Sequence, residues 1–148
     1  PERKKRILLT GCPSSGAPMK VVKAIEEHGG NVVVYENCGG AKSVDRLIDE
    51  DAEDIYKAIA ERYLAIGCSV MTPDNNRIEL MGRLLEEYNI EGVVEMTLQA
   101  CHTYNIEAKS IEKFVKSTGL PYIHVETDYS QADIGQLDTR IAAFLEMI

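Results

Sequence analysis

Cys12, Cys38, Cys68 and Cys101 are the residues of this chain best suited to chemistry, and they lie 26, 30 and 33 positions apart. An even count is compatible with two disulfides. The opening segment PERKKRILLT, however, has basic residues, only a short apolar run and no processing site, so it does not read as a secretory signal. The expected location is cytoplasmic and reducing, where disulfides are rare, which makes metal binding or redox chemistry the leading expectation. Zinc sites usually pair ligands at C-x2–4-C spacing, and no such pair exists here. Widely spaced loop thiolates suit an iron–sulfur cluster at least as well, because a cluster takes ligands from several places on a rim. A metal-free redox pair stays open.

Composition bounds the alternatives. The chain has 148 residues, 45% of them hydrophobic and 27% charged, as expected of one globular domain with an ordinary core. Sixteen basic against 24 acidic residues give a formal charge of −8, which argues against a general nucleic-acid binder. No apolar run approaches the roughly 20 residues that would span a bilayer.

Periodicity supplies the elements that must position the cysteines. Residues 6–10 (RILLT), 31–36 (NVVVYE), 92–97 (GVVEMT) and 121–127 (PYIHVET) read as buried strands. Pro18 opens a helix with Val21, Val22, Ala24 and Ile25 inward, closed by His28-Gly29-Gly30. Residues 37–51 read as a long loop. Further helices are expected over 53–66 (Ile55, Ile59, Tyr63 and Ile66 on one face), 75–88 (Ile78, Met81, Leu84 and Leu85), 106–117, and 134–147 (Ile134, Leu137, Ile141, Phe144 and Leu145). This alternation predicts an α/β fold: a doubly wound, Rossmann-like or flavodoxin-like parallel sheet of about four strands. The expected order is 2-1-3-4, with helices on both faces.

That topology places the cysteines. Cys12, Cys38 and Cys101 follow strands one, two and three, so they belong at the carboxyl-end edge, where such sheets bind ligands. The helix over 75–88 must end at the opposite edge, where strand three starts, so the loop 67–74 with Cys68 joins the same rim. A single free cysteine is more often a small buried hydrophobe. Four of them in loops on one rim fit that role poorly. Gly39-Gly40 after Cys38 allows close approach of a ligand, and a helix start just beyond Cys68 favours its thiolate.

These loops carry a resemblance. TGCP at 10–13, ENCGGAK at 36–42, GCSVMTP at 67–73, LQACHTYNIEAKSI at 98–111 and ETDYSQADIGQLDTRIAAFLEM at 126–147 are similar to the 2-hydroxyacyl-CoA dehydratase and benzoyl-CoA reductase superfamily. This is the group of the 2-hydroxyglutaryl-CoA dehydratase D-component, and the chain most resembles its double-cubane cluster proteins. The resemblance implies two Rossmann-like domains that share an iron–sulfur cluster, with residues 1–148 equivalent to the C-terminal, cluster-binding domain. It implies a 4Fe–4S cluster or a sulfide-bridged double cubane, and whether the isolated domain holds one without its partner stays open. Implied partners are the missing N-terminal domain or a second copy of the chain, an ATP-hydrolysing iron–sulfur activator that injects a low-potential electron, and a small-molecule substrate. Carried over by position, Cys101 in CHTYN, Cys38 in ENCGG and Cys68 in GCS match ligands, while Cys12 is left outside the ligand set. The implied function is an ATP-dependent low-potential reductase or a 2-hydroxyacyl-CoA dehydratase, in an anaerobic, dimeric setting. The competing reading is a non-catalytic apo α/β module that pairs with another domain.

Secondary candidates follow from position. His102, next to Cys101, could donate to a cluster sulfide or relay a proton, against a plain capping role. Lys42 and Arg77 could balance an anion, but read first as solvated surface charges. Asp128 reads as a turn cap, Arg140 as the partner of an acid, Tyr104 and Tyr129 as buried aromatics, and His28 and His124 as structural. GCPSSG at 11–16 lacks both G-x-G-x-x-G and a Walker lysine, so it is a weak phosphate site.

Overall fold

The computed structural model describes residues 3–16 and 19–148. In chain order the elements are β1 (Lys5–Gly11), α1 (Met19–Glu27), β2 (Gly30–Glu36), α2 (Ala41–Val44), α3 (Ile55–Leu64), α4 (Asn75–Glu87), β3 (Gly92–Leu98), α5 (His102–Ser117), β4 (Tyr122–Thr127) and α6 (Ile134–Glu146). The four strands pair in parallel in the order β2-β1-β3-β4, as the alternation predicts. No described helix is long and apolar enough to cross a membrane.

Alternate strand residues point to opposite faces, and each face builds its own core. Ile7, Leu9, Val94 and Met96 pack with Val21 and Ile25 of α1 and with Leu137, Ile141 and Phe144 of α6. Leu8, Val34 and Val93 pack with Leu80, Met81 and Leu84 of α4 and with Ile111 and Val115 of α5. Burial on both faces explains why the strands read as continuous apolar runs rather than alternating ones.

Gly11 ends β1 with φ near +100°, and a Cβ there would lie 2.1 Å from the Met96 carbonyl oxygen. That closeness lets the Cys12 amide donate to the same carbonyl at 2.8 Å. Only glycine accommodates both the backbone angle and the approach.

Several expectations are corrected. The segment 37–51 contains the short helix α2 rather than only a loop. In α3 only Ala58 is buried, while Ile55, Tyr56, Tyr63 and Leu64 are exposed. This helix contributes to neither core cluster, so its apolar stripe has no layer to face. Ile134, expected inward, is exposed at the first turn of α6. Helix α5 begins at His102 rather than 106, because Tyr104 buries its ring while its polar neighbours hide the apolar period. The expectation that Pro18 starts α1 lies outside the described residues.

Candidate functional site

The carboxyl-end edge rests on a buried charge cluster. Thr10 of β1 stands in register with Glu36 of β2 and with Glu95 of β3. Arg77, in the first turn of α4 and fully buried, lies over this row. Its Nε donates to Glu36 Oε2 at 3.1 Å, and its Nη2 donates to Thr10 Oγ1 at 2.8 Å and to Glu95 Oε1 at 3.2 Å. Its Nη1 donates to Glu107 Oε2 of α5. The Thr10 hydroxyl donates to Glu36, and the Tyr122 hydroxyl donates to Glu95 Oε2 at 2.6 Å. The Tyr104 ring lies 5.0 Å from the guanidinium, and its hydroxyl accepts from Lys42 Nζ at 3.1 Å. Lys42 is 4% exposed. Lys42 and Arg77 are therefore not solvated surface charges: Arg77 is drawn inward by carboxylates that the strands carry into the core, and Lys42 is buried against the Tyr104 hydroxyl and ring.

Burial would weaken the guanidinium's hold on its proton. The charges of Glu36, Glu95 and Glu107 outweigh that effect and raise the Arg77 pKa above the ordinary arginine value. Burial lifts Glu95 in turn, against the pull of Arg77. The carboxyls already outnumber the cations, and Asp74, the N-cap of α4, adds a fourth. Burial first, and the Glu107 carboxylate second, push the Asp74 pKa up to about 6. Asp74 Oδ1 accepts from the Arg77 amide at 3.3 Å, while its buried Oδ2 meets no ordinary donor.

The thiols rise directly above this cluster. Cys12 and Cys38 follow Thr10 and Glu36 by two residues, and Gly67 beside Cys68 packs so tightly on Arg77 that a Cβ would lie 2.6 Å from its amide nitrogen. Cys101 is the N-cap of α5. Cys12 is 2% exposed, Cys68 and Cys101 are half-buried, and Cys38 is exposed. Cys101 packs against the core cluster that contains Cys12, and its Sγ lies 3.7 Å from Thr103 Oγ1. Ser69 donates to Thr103 at 3.3 Å, joining the Cys68 loop to the first turn of α5.

Burial raises the Cys12 pKa to about 11. Cys101 moves the other way: burial opposes its ionisation, but the Tyr104 amide, the Thr103 hydroxyl and Cys12 outweigh it and lower its pKa. The helix-start effect expected at Cys68 belongs instead to Cys101, because α4 begins only at Asn75, capped by Asp74.

The other candidates fall as follows. His102 is exposed in the first turn of α5. Asp128 caps its turn by accepting from the Ser130 amide at 2.7 Å. Arg140 donates to the His124 carbonyl at 2.7 Å rather than to an acid. Tyr104 is buried as expected, whereas Tyr129 is 69% exposed. His28 pairs with Asp138, and His124 with Thr97. Sequence reasoning missed the Arg77 cluster. Its signal was an acid inside each of two otherwise apolar strands, which a buried cation must neutralise.

Among the described residues, no group of three or more His, Cys, Asp or Glu side chains converges tightly enough to hold a single metal ion. The donors on the rim are soft thiols spread along one edge. That set fits one wall of a multi-iron cluster better than a lone ion.

The family profile described as 2-hydroxyglutaryl-CoA dehydratase, D-component, matches residues 1–148. The chain is 53% identical over 144 residues to "Putative dehydratase subunit YjiM" of Escherichia coli (strain K12), covering 97% of this chain and 37% of that protein. It is 23% identical over 156 residues to a benzoyl-CoA reductase subunit of Thauera aromatica, covering 99% of this chain and 34% of that one. Against the beta subunit of (R)-2-hydroxyglutaryl-CoA dehydratase of Acidaminococcus fermentans it is 25% identical over 104 residues, covering 67% and 27%. The chain thus spans about a third of the length of the curated relatives it matches.

Two outcomes follow for the charge cluster. Arg77→Met strands Glu36 and Glu95 without a cation and should cost about 3–5 kcal/mol in urea unfolding, with Arg77→Lys recovering only part because it lacks the fork. Asp74 with a raised pKa leaves the fold unpenalised below the ordinary aspartate value and destabilises it increasingly as pH rises through about 6. Asp74→Asn keeps the cap without the charge. Its melting temperature should therefore exceed the wild type's above about pH 7 and match it below about pH 4.

Proposed function

This chain belongs to the 2-hydroxyglutaryl-CoA dehydratase D-component family, and on that premise we propose that it is the thiolate-bearing α/β domain of a dehydratase-type enzyme or low-potential reductase. Residues 1–148 act as one domain, equivalent to the C-terminal, cluster-binding domain of the larger members. Cys38, Cys68 and Cys101 hold one side of an iron–sulfur cluster, a 4Fe–4S unit or a sulfide-bridged double cubane. A second domain or a second copy of the chain closes the other side. When bound, the cluster supplies one-electron chemistry at low potential. The observation that carries the reading is the meeting of the cysteine loops on one edge, above the cluster built on Arg77.

The chain's own residues have defined tasks in this reading. Cys101, with its lowered pKa, is the thiol readiest to ligate as thiolate. Arg77 and its carboxylates fix the ends of β1, β2 and β3, so the loops that carry the thiols start from set positions. His102, exposed beside Cys101, donates a hydrogen bond or a proton toward the cluster and substrate side. The expected partners are an ATP-hydrolysing iron–sulfur activator and a small-molecule substrate of the 2-hydroxyacyl-CoA type, with no nucleic acid and no membrane.

A second reading, a non-catalytic apo module that docks on another domain, draws on the spread of the thiols, no three of which form a metal-holding group among the described residues. Anaerobic reconstitution of the purified chain with ferrous iron and sulfide separates the two. Bound iron and sulfide with a reduced-state EPR signal, abolished by Cys101→Ser and diminished by Cys38→Ser or Cys68→Ser, supports ligation. Equal loading in the triple serine variant overturns it in favour of the apo module. In the loaded protein His102→Ala should leave the iron content unchanged and shift the midpoint potential, and His102→Gln, which can still donate, should reverse much of that shift.

A further inference from the structure

One contact on the rim is not used by the proposed ligand set. Cys12 and Cys101 both bond to the Leu98 backbone: the Leu98 amide donates to Cys12 Sγ at 3.4 Å, and the Leu98 carbonyl accepts from the Cys101 amide at 3.0 Å. The Cys12 amide is itself anchored on Met96, with Gly11 permitting the approach. The two residues are thereby held side by side at Leu98, with Cys101 packed against the core cluster that contains Cys12, although 89 positions separate them in the chain. Their surroundings differ. Cys12 lies in the apolar core formed by α1, α6 and the sheet, at 2% exposure, while Cys101 is half-buried at the mouth. Thr103 Oγ1 stands 3.7 Å from Cys101 Sγ on the outer side.

We propose that Cys12 and Cys101 form a thiol–disulfide exchange site whose substrate is a small-molecule disulfide of the glutathione type. The accessible Cys101 sulfur attacks one sulfur of the external disulfide. A Cys101–S–S bond forms, the external S–S bond breaks, and the first small thiol leaves with the Cys101 proton. The Cys12 sulfur then attacks Cys101 Sγ, forms the internal disulfide and releases the second small thiol with the Cys12 proton. Two protein thiols are oxidised and one external disulfide is reduced to two thiols, so electrons and protons balance. The buried partner does the resolving, which keeps the adduct at Cys101 short-lived. The site uses no iron. It stands whether or not the cluster reading holds, and where that reading holds, the internal disulfide and cluster ligation by Cys101 exclude each other.

The test uses the metal-free, reduced chain, with glutathione disulfide as the probe. Thiol counting and non-reducing peptide mapping by mass spectrometry provide the readout. The expected result is loss of two of the four free thiols, a cross-linked peptide pair joining positions 12 and 101, and full recovery with dithiothreitol. In Cys12→Ser the glutathionyl adduct should accumulate on Cys101, at least about tenfold above its level in the wild type. A link involving Cys38 or Cys68, a persistent adduct on wild-type Cys101, or four unreacted thiols each overturns the proposal. The wild-type map decides the matter by itself should Cys12→Ser fail to fold.

Discussion

One buried guanidinium organises the ligand edge of this domain. Arg77 bonds to residues on β1, β2, β3 and α5, and it is itself carried by α4. A cation and three carboxylates withdrawn from water gain little net stability, because desolvation offsets most of the attraction. What such a cluster provides is specificity. Each carboxylate has one acceptable position, and a slip in strand register would leave a buried charge without a partner. The row Glu36, Thr10 and Glu95 is consequently both a register mark and a floor.

The functional edge inherits its shape from that floor. Chain leaving β1 and β2 reaches Cys12 and Cys38 within two residues of the cluster, and Gly67 brings the Cys68 loop onto the Arg77 backbone. At β3 the chain turns directly into α5, which makes Cys101 a helix cap rather than a loop residue. Two neighbouring thiols therefore acquire opposite tendencies: Cys12 is held protonated by the apolar core, and Cys101 is drawn toward ionisation by the amide and hydroxyl donors of the first helical turn.

Much of the architecture was legible in the sequence because it follows from local pattern. Short β-branched runs alternating with helical periods permit few topologies, and the parity of the helix after Cys68 puts its loop on the same edge as Cys12, Cys38 and Cys101. Local pattern misleads where packing decides. The stripe of α3 has helical spacing yet stays exposed, and the polar first turn of α5 conceals a helix start at His102. Lys42 and Arg77 resemble ordinary surface charges within their own windows, since their partners lie elsewhere in the chain. Arg77 and Glu36 are 41 residues apart.

Element types, strand order and family follow from the amino-acid order alone, and with them the edge on which the cysteines stand. These depend on periodicity, turn residues and motif identity, all of which act over short stretches of chain. Folding into three dimensions settled which charges go inside, that Cys12 and Cys101 become neighbours at Leu98, and that the favourable helix terminus belongs to Cys101 rather than Cys68. Those outcomes depend on the free energy of desolvating particular groups against particular partners, and such partners become neighbours only once the sheet has formed.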